Sequence, residues 1–320
     1  MKSKGLIRSL RGKMLLLMIS IVLVAGGVIT AISIYSMQNQ MEEQIAEKQM
    51  LLAESFAEFV RQFFDDAQGM MRTAARLPDV RNMGSVSFIN EIDKGVSDGW
   101  DYIKRRTLRN MIQDYGNFTY MQQVIPEGIN LLIEPYEYQL SLETMDMSTY
   151  DWFTGAVSKR ESYVSAVHIS PSLQQPVVAF AQPLINDEGQ LLSVLAGVMT
   201  LDRLNNLCAE LTFGETGYAF LVDQRGACAA HIDEQLTSNI TSLVEIPMVQ
   251  KVMARETGVG HFLDPRSGKE VLSAYTPVGD TGWGLIVVQD VKEAFARVQE
   301  TRAIILGVAI LLLVTAVVVA

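Results

Sequence analysis

Thiol and imidazole chemistry has little to work with in this chain, which holds two cysteines and three histidines in 320 residues. No C-x-x-C or H-E-x-x-H spacing occurs, and His168, His231 and His261 lie far apart, so no zinc site is legible. Cys208 and Cys228 allow at most one disulfide; the other reading makes them two small buried hydrophobes. G-x-S-x-G and catalytically framed carboxylate pairs are also missing, so an enzyme is not expected and no cofactor is implied. The glycines of GDTGWG imitate a phosphate loop, but they lie between strands with no helix after them, which predicts a tight turn around Trp283.

Charge is missing from two long runs. Met14 to Ile34 (MLLLMISIVLVAGGVITAISI) and Ala303 to Ala320 (AIILGVAILLLVTAVVVA) carry none. At a rise of 1.5 Å per residue, a helix over the first run would span roughly 30 Å, the thickness of a bilayer's hydrocarbon layer. Transmembrane helices are expected at 14–35 and 303–320, with the chain stopping at the second as a fragment without its output domain would. The first run is longer than a signal-peptide core and no clean A-x-A site follows it, which favours an uncleaved anchor over a cleaved signal.

What is present gives the orientation. Lys2, Lys4, Arg8, Arg11 and Lys13 fill a cytoplasmic tail at 1–13, the positive-inside pattern. The formal net charge of −10 becomes −15 without those five cations, so residues 36–302 are expected as an acidic extracytoplasmic domain of a multi-pass cell-membrane protein. Nucleic acid is excluded as a partner on that charge.

Residues from Ser36 to Leu77 hold no proline, and Met37, Met41, Ile45, Leu52, Phe56, Phe59 and Phe63 recur at spacings of three, four or seven. The pattern predicts a long amphipathic helix whose stripe faces a core or a second copy. DYIKRRTLRNMIQDYG predicts a second helix. YMQQVIPEGINLLIEPYEYQL, SYVSAVHIS, PVVAFAQPL and LLSVLAGVMTL predict an antiparallel sheet, with a turn at Asn186-Asp187-Glu188-Gly189. LDRLNNLCAEL then reads as a helix, GYAFLVDQRGACAAH as a hairpin, SLVEIPMVQKVMA as a helix and GVGHFLDP, KEVLSAYTPV and GWGLIVVQD as strands, before a last helix, VKEAFARVQETR. The fold class is α+β, a long helix followed by two helix-plus-sheet modules.

DMSTYDWFTGAV, PVVAFAQPL with NDEGQLLSVLAGVMTLDRL, GETGYAFLVDQRG with His231 after it, and SAYTPVGDTGWGLIVVQD occur in an order that resembles the double Cache sensor domains of bacterial transmembrane receptors, which are PAS-like. The resemblance covers residues 36–300 and is strongest to methyl-accepting chemotaxis receptors. It implies a membrane-distal module at 36–206, a membrane-proximal module with exit helix at 207–302, a small-molecule ligand in the distal module and a homodimer that signals by helix displacement. The sensor region of a histidine kinase or cyclic-dinucleotide enzyme is the alternative, and an anchored structural or partner-binding protein a further one.

The amino-acid-sensing branch of that family places an arginine two positions before a tryptophan, an aromatic after it, a tyrosine on the first pocket strand and an aspartate on a later strand. Here Trp152 and Phe153 match the aromatics, whereas the arginine position holds Tyr150, the tyrosine position His168 and the aspartate position Val198. Both charged anchors of a zwitterion are thereby missing, each worth roughly 1.5–3 kcal/mol, so the resemblance implies a ligand other than a free α-amino acid: an amine, a purine-like ring or a small carboxylate met by His168. Tyr163, Ser170 and Gln182 complete the expected ligand-binding set. Trp152 and Phe153 have an equally simple second role, anchoring their helix on the sheet. Tyr218, His231 and Tyr275 read either as a second, smaller site or as core and turn residues.

Overall fold

The computed structural model describes residues 10–264 and 268–319. Residues 1–9, which include Lys2, Lys4 and Arg8 of the basic tail, lie outside the described residues, as does Ala320. Met50–Gln289 forms one compact unit, and the flanking segments from the two ends form another.

The first helix, α1, runs Leu10–Arg76 and stops where Pro78 removes the next backbone donor; Pro78 itself opens the short α2, Pro78–Arg81. Within Met50–Gln289 its buried stripe is Ala53, Ala57, Val60, Phe64, Ala67, Met71 and Ala74, at alternating steps of four and three. The expected stripe is one position off: Phe56 and Phe63 are half-buried and Phe59 is 44% exposed. Alanines carry this face because a small side chain lets a sheet approach the helix backbone closely.

Helix α3 (Tyr102–Tyr115) leads into β1 (Tyr120–Val124) and β2 (Asn130–Glu134). YEYQL, expected to extend the strand pair, is a short helix, α4 (Tyr136–Leu140), because Gln139 turns back to bond the backbone N–H of Ile133. Then come α5 (Asp151–Lys159), β3 (Tyr163–Val164), β4 (His168–Ile169), β5 (Pro176–Ile185) and β6 (Leu191–Thr200). The distal sheet has the order β2-β1-β6-β5-β3 with β4 also on β5, all antiparallel. The turn at 186–189 is as expected, with Asn186 Oδ1 accepting from the backbone N–H groups of Glu188 and Gln190.

The second module holds α6 (Leu201–Glu210), β7 (Tyr218–Val222), β8 (Cys228–Ala230), α7 (Glu234–Ser238), α8 (Pro247–Met253), β9 (Gly258–Leu263), β10 (Glu270–Pro277) and β11 (Gly284–Asp290), in sheet order β8-β7-β11-β10-β9. The expected boundary at 206/207 falls inside α6, which packs mainly on β7 and β8 and so goes with the second sheet. The exit helix is two pieces, α9 (Val291–Ala294) and α10 (Ala296–Val319). Cys208 and Cys228 are unbonded and buried, as small hydrophobes would be, and burial pushes both thiols up to about 12.

Strand alternation divides each sheet into two faces. Met121, Val178, Phe180, Leu195 and Met199 of the distal sheet share one core with Ala219, Leu221, Leu285 and Val287 of the proximal sheet and with the buried stripe of α1. Phe64 stands at its centre, edge-on to Phe180 at 5.4 Å and to Trp283 at 5.1 Å. The opposite faces carry separate cores, one under α5 and one under α8.

Among the described residues no helix is long and apolar enough to cross a membrane. Several side chains of both uncharged runs, among them those of residues 15, 16, 19, 20, 22 and 23, lie outside the described residues.

Candidate functional site

The outer face of the distal sheet presents Tyr120 from β1, Val177, Ala179 and Ala181 from β5, and Ala196 and Val198 from β6. Most of these are small, so the floor leaves room for what covers it. Helix α5 lies over it with Trp152, Phe153 and Ala156 turned inward, Trp152 and Phe153 meeting edge-to-face at 6.0 Å. At the start of that helix, Tyr150 reaches His168 at 5.6 Å and Trp152 at 6.4 Å. Tyr120 lies 5.6 Å from Tyr138 of α4 and shares a 3.0 Å hydrogen bond with Ser170. The fold therefore brings Tyr150, Trp152, His168, Ser170 and Val198 together around one aromatic-lined patch.

Ser170 is fully buried and its hydroxyl also accepts from the backbone N–H groups of Ser172 and Leu173, so it fixes the 170–175 turn and the direction of the Tyr120 hydroxyl. Burial pushes that phenol up to about 12, which keeps it protonated and able to donate. Val198 pairs with Tyr120 and Ala179, so the middle of the floor is apolar.

His168 is the informative polar group. Burial holds its imidazole below the ordinary histidine value, so at neutral pH it is uncharged. Its Nδ1 lies 3.1 Å from the carbonyl of Ala166, an acceptor, so Nδ1 carries the proton and Nε2 presents a lone pair. Asp151, which accepts from the N–H of Ala166 at 2.6 Å, adds negative potential beside the ring.

Three expected members lie differently. Gln182 follows Ala181 on β5, so its side chain leaves on the α1 side of the sheet, where it accepts from Ser162 at 2.5 Å. Tyr163 packs against Gly155, where an added Cβ would come within 2.6 Å of its ring, with Lys159 at 4.9 Å and Gln224 at 3.4 Å from its hydroxyl. It belongs to the far end of α5. Phe153 is 5% exposed within the core under that helix and acts as its anchor. Tyr120, Tyr138 and Asp151 are the members that sequence reasoning missed; the alternation Tyr120-Gln122-Val124 was the available signal for the first.

The segment between β3 and β4 joins this patch to the second module. Ser165 Oγ accepts the N–H of Ala179 at 2.8 Å in place of a strand carbonyl, and the carbonyl of Ser165 instead accepts from Trp283 Nε1 at 3.3 Å. Val167 donates its N–H to Asp223 at 2.9 Å, and Arg225 donates to the carbonyl of Val167. Fully buried Asp223 also accepts from the N–H groups of Arg225 and Ala227, at 2.8 and 2.9 Å. Asp223→Ala leaves three backbone donors without that acceptor. At about 1–3 kcal/mol for each orphan, and less than additive, it should lower stability by about 2 kcal/mol or more in urea unfolding; a loss under about 0.5 kcal/mol would remove Asp223 as the joint.

Residues 36–298 match the Cache domain family in its dCache_1 form, most of the chain. The chain belongs to the Cache domain family. Methyl-accepting chemotaxis protein PctB of Pseudomonas aeruginosa is 27% identical to this Cache protein over 171 residues, 51% of this chain and 26% of that protein. The match thus spans about a quarter of that receptor's length. Among solved structures, the PctB ligand-binding domain in complex with L-Arg has a TM-score of 0.61 at 17% identity, covering 79% of this chain and 98% of that one. The ligand-binding domain of the Pseudomonas fluorescens chemoreceptor CtaA in complex with L-isoleucine gives 0.62 at 18%, covering 82% and 99%. The extracellular domain of the putative histidine kinase mmHK1S-Z3 gives 0.60 at 12%, covering 79% and 97%. These likenesses show that the two-module Cache fold is shared.

Proposed function

We propose that this Cache chain is the extracytoplasmic sensing portion of a membrane receptor of the chemoreceptor kind, and that its distal module binds a small molecule presenting N–H donors, an amine or an amino-substituted heteroaromatic ring. The observation that carries the ligand class is His168, an uncharged imidazole with its Nε2 lone pair beside Tyr150 and near Asp151. Aromatic faces add about 0.5–2 kcal/mol for a cation. Amino acids are the ligands of the PctB and CtaA structures above, and they form the second reading for this chain; Tyr150 and Val198, in the positions of the family's charged pair, argue against it.

What supports the membrane reading is the uncharged run Met14–Ile34 within α1. Met14, Leu17, Ile21, Val24, Val28 and Ile32 are each more than half exposed there, as are Ile304, Ile310 and Leu311 on α10. Apolar side chains left uncovered in this number are stable in lipid rather than in water. A ligand shifts a receptor only through unequal affinity for two states. The segment 165–168, bonded on one side to α5 and on the other to Asp223 and Trp283, is the element such a ligand would bias. A homodimer is part of this proposal, a helix shift at a subunit interface being one way such a signal travels.

Thermal-shift screening of the full chain in nanodiscs with polyamines, aminopurines, carboxylates and the twenty amino acids tests the reading. An amine or aminopurine should raise Tm, and His168→Ala and Tyr150→Ala should each weaken its binding about tenfold, near 1.4 kcal/mol. Micromolar binding of an amino acid that survives both substitutions would replace this ligand class with the second reading.

A further inference from the structure

The proximal module carries a cavity of its own, of about 230 Å³, on the face of its sheet turned away from α1. Phe220 and Val271 floor it, Met248 of α8 and Leu243 close one side, and Tyr218, His231 and Asp264 line the rest. It lies wholly within the second module, apart from the patch under α5. Tyr275, the third residue of the group expected from the sequence, is 4% exposed and packs its hydroxyl over Gly258 instead of lining this space.

The walls are selective in shape and polarity. His231 stands 5.3 Å from Tyr218 at 73°, edge to face, and 5.3 Å from Phe220 at a 53° tilt, so three rings cluster along one side. Its Nδ1 accepts the backbone N–H of Asp233 at 2.8 Å, which puts the proton of the neutral ring on Nε2. The other polar groups in the wall are the Tyr218 hydroxyl and the Asp264 carboxylate, an acceptor group. An apolar cavity of about 150 Å³ accepts benzene; one half as large again suits a second fused ring. A carboxylate in the wall disfavours anions, and the aliphatic lining, Leu236, Leu243, Ile246, Val271 and Val288, gives a fully hydrated cation no replacement for lost water.

We infer that the proximal module has a second ligand site, for an uncharged one- or two-ring aromatic molecule bearing an N–H or O–H donor. The donor meets the Asp264 side, and the ring edge lies against Tyr218, Phe220 and His231. This site is independent of the distal one and stands whether or not the amine reading holds.

Indole is the probe. Calorimetric titration into the full chain in nanodiscs, with empty nanodiscs as the blank, should show one binding event that benzoate does not produce. Val271→Phe occupies the floor and should weaken indole at least about tenfold. His231→Asn keeps an acceptor for the Asp233 N–H while removing the ring wall and the Nε2 donor, and should weaken indole severalfold. Because Val271→Phe is an overpacking change in a core strand, a second readout is needed. With methionine methyls labelled by carbon-13, indole should shift the resonance that Met248→Leu deletes. Tyr150→Ala should leave indole affinity unchanged. No heat from indole, benzoate binding more tightly than indole, undiminished binding to the His231 variant, or a Met248 methyl that does not move would each overturn the proposal.

Discussion

Phe64→Ala should lower the stability of the two-module unit by about 4 kcal/mol, or roughly 8–16 °C in Tm. Phe64 is fully buried on α1, and its ring meets Phe180 of the distal sheet and Trp283 of the proximal module edge-on. Truncation removes apolar burial from both modules at once and opens a void where three elements meet, so collapse of the surroundings can refill little of it. The loss should also be visible in cooperativity. With its central contact gone, the single unfolding transition should broaden or split as the sheets unfold separately. A denaturant midpoint and slope within error of the parent would show that the two modules do not share this core.

Glu134→Ala should be comparably costly, about 3–5 kcal/mol, for an electrostatic reason. Glu134 is fully buried on β2 and pairs with Arg105 at 3.3 Å and Arg109 at 2.6 Å. Arg105 is itself 1% exposed and donates to the carbonyls of Val96 and Ile133 and to Gln139, with Tyr136 under its guanidinium at 5.0 Å. Neutral acceptors meet its Nη1 and Nη2 groups, while its buried Nε has no partner among the described residues, and none of these acceptors cancels its charge. Without Glu134 the guanidinium keeps its desolvation cost and loses its counterion. The paired change Glu134→Leu with Arg105→Met should therefore recover most of the loss, because a well-packed apolar pair can replace a buried ion pair. Urea unfolding of the two variants decides it: a double variant no better than Glu134→Ala would mean that the hydrogen-bond geometry, rather than the charge, matters here.

The two modules, their strand runs and the turn at Asn186–Gly189 were legible because half-buried strands alternate and turns carry Asn, Asp and Gly. The buried side of α1 was not, because Ala53, Ala57, Ala67 and Ala74 weigh little in a hydrophobic pattern while Phe56 and Phe59 weigh heavily. Close sheet packing reverses that weighting. In the site, Trp152 and His168 came from a motif with a distinctive shape. Gln182 was misplaced although PVVAFAQPL already holds its parity: Val177, Ala179 and Ala181 form one face, and Gln182 falls with Phe180 on the other. Tyr138 was out of reach, since it arrives from a helix whose existence depends on Gln139 finding the backbone of Ile133. The tautomer of His168 likewise depends on the carbonyl of Ala166, two residues back along a segment whose course is set by Asp151 and Asp223.

The break between β3 and β4 has one more effect. A sheet border is a standing invitation for another chain to add a strand, and aggregation starts at long, regular borders. Here that border is two strands of two residues each, and the three residues between them turn their polar groups to Ala179, Asp151, Asp223, Trp283 and Arg225. No continuous row of open amides is left on that side, so the bonds that join the modules also make this border of the distal sheet a poor template for self-assembly.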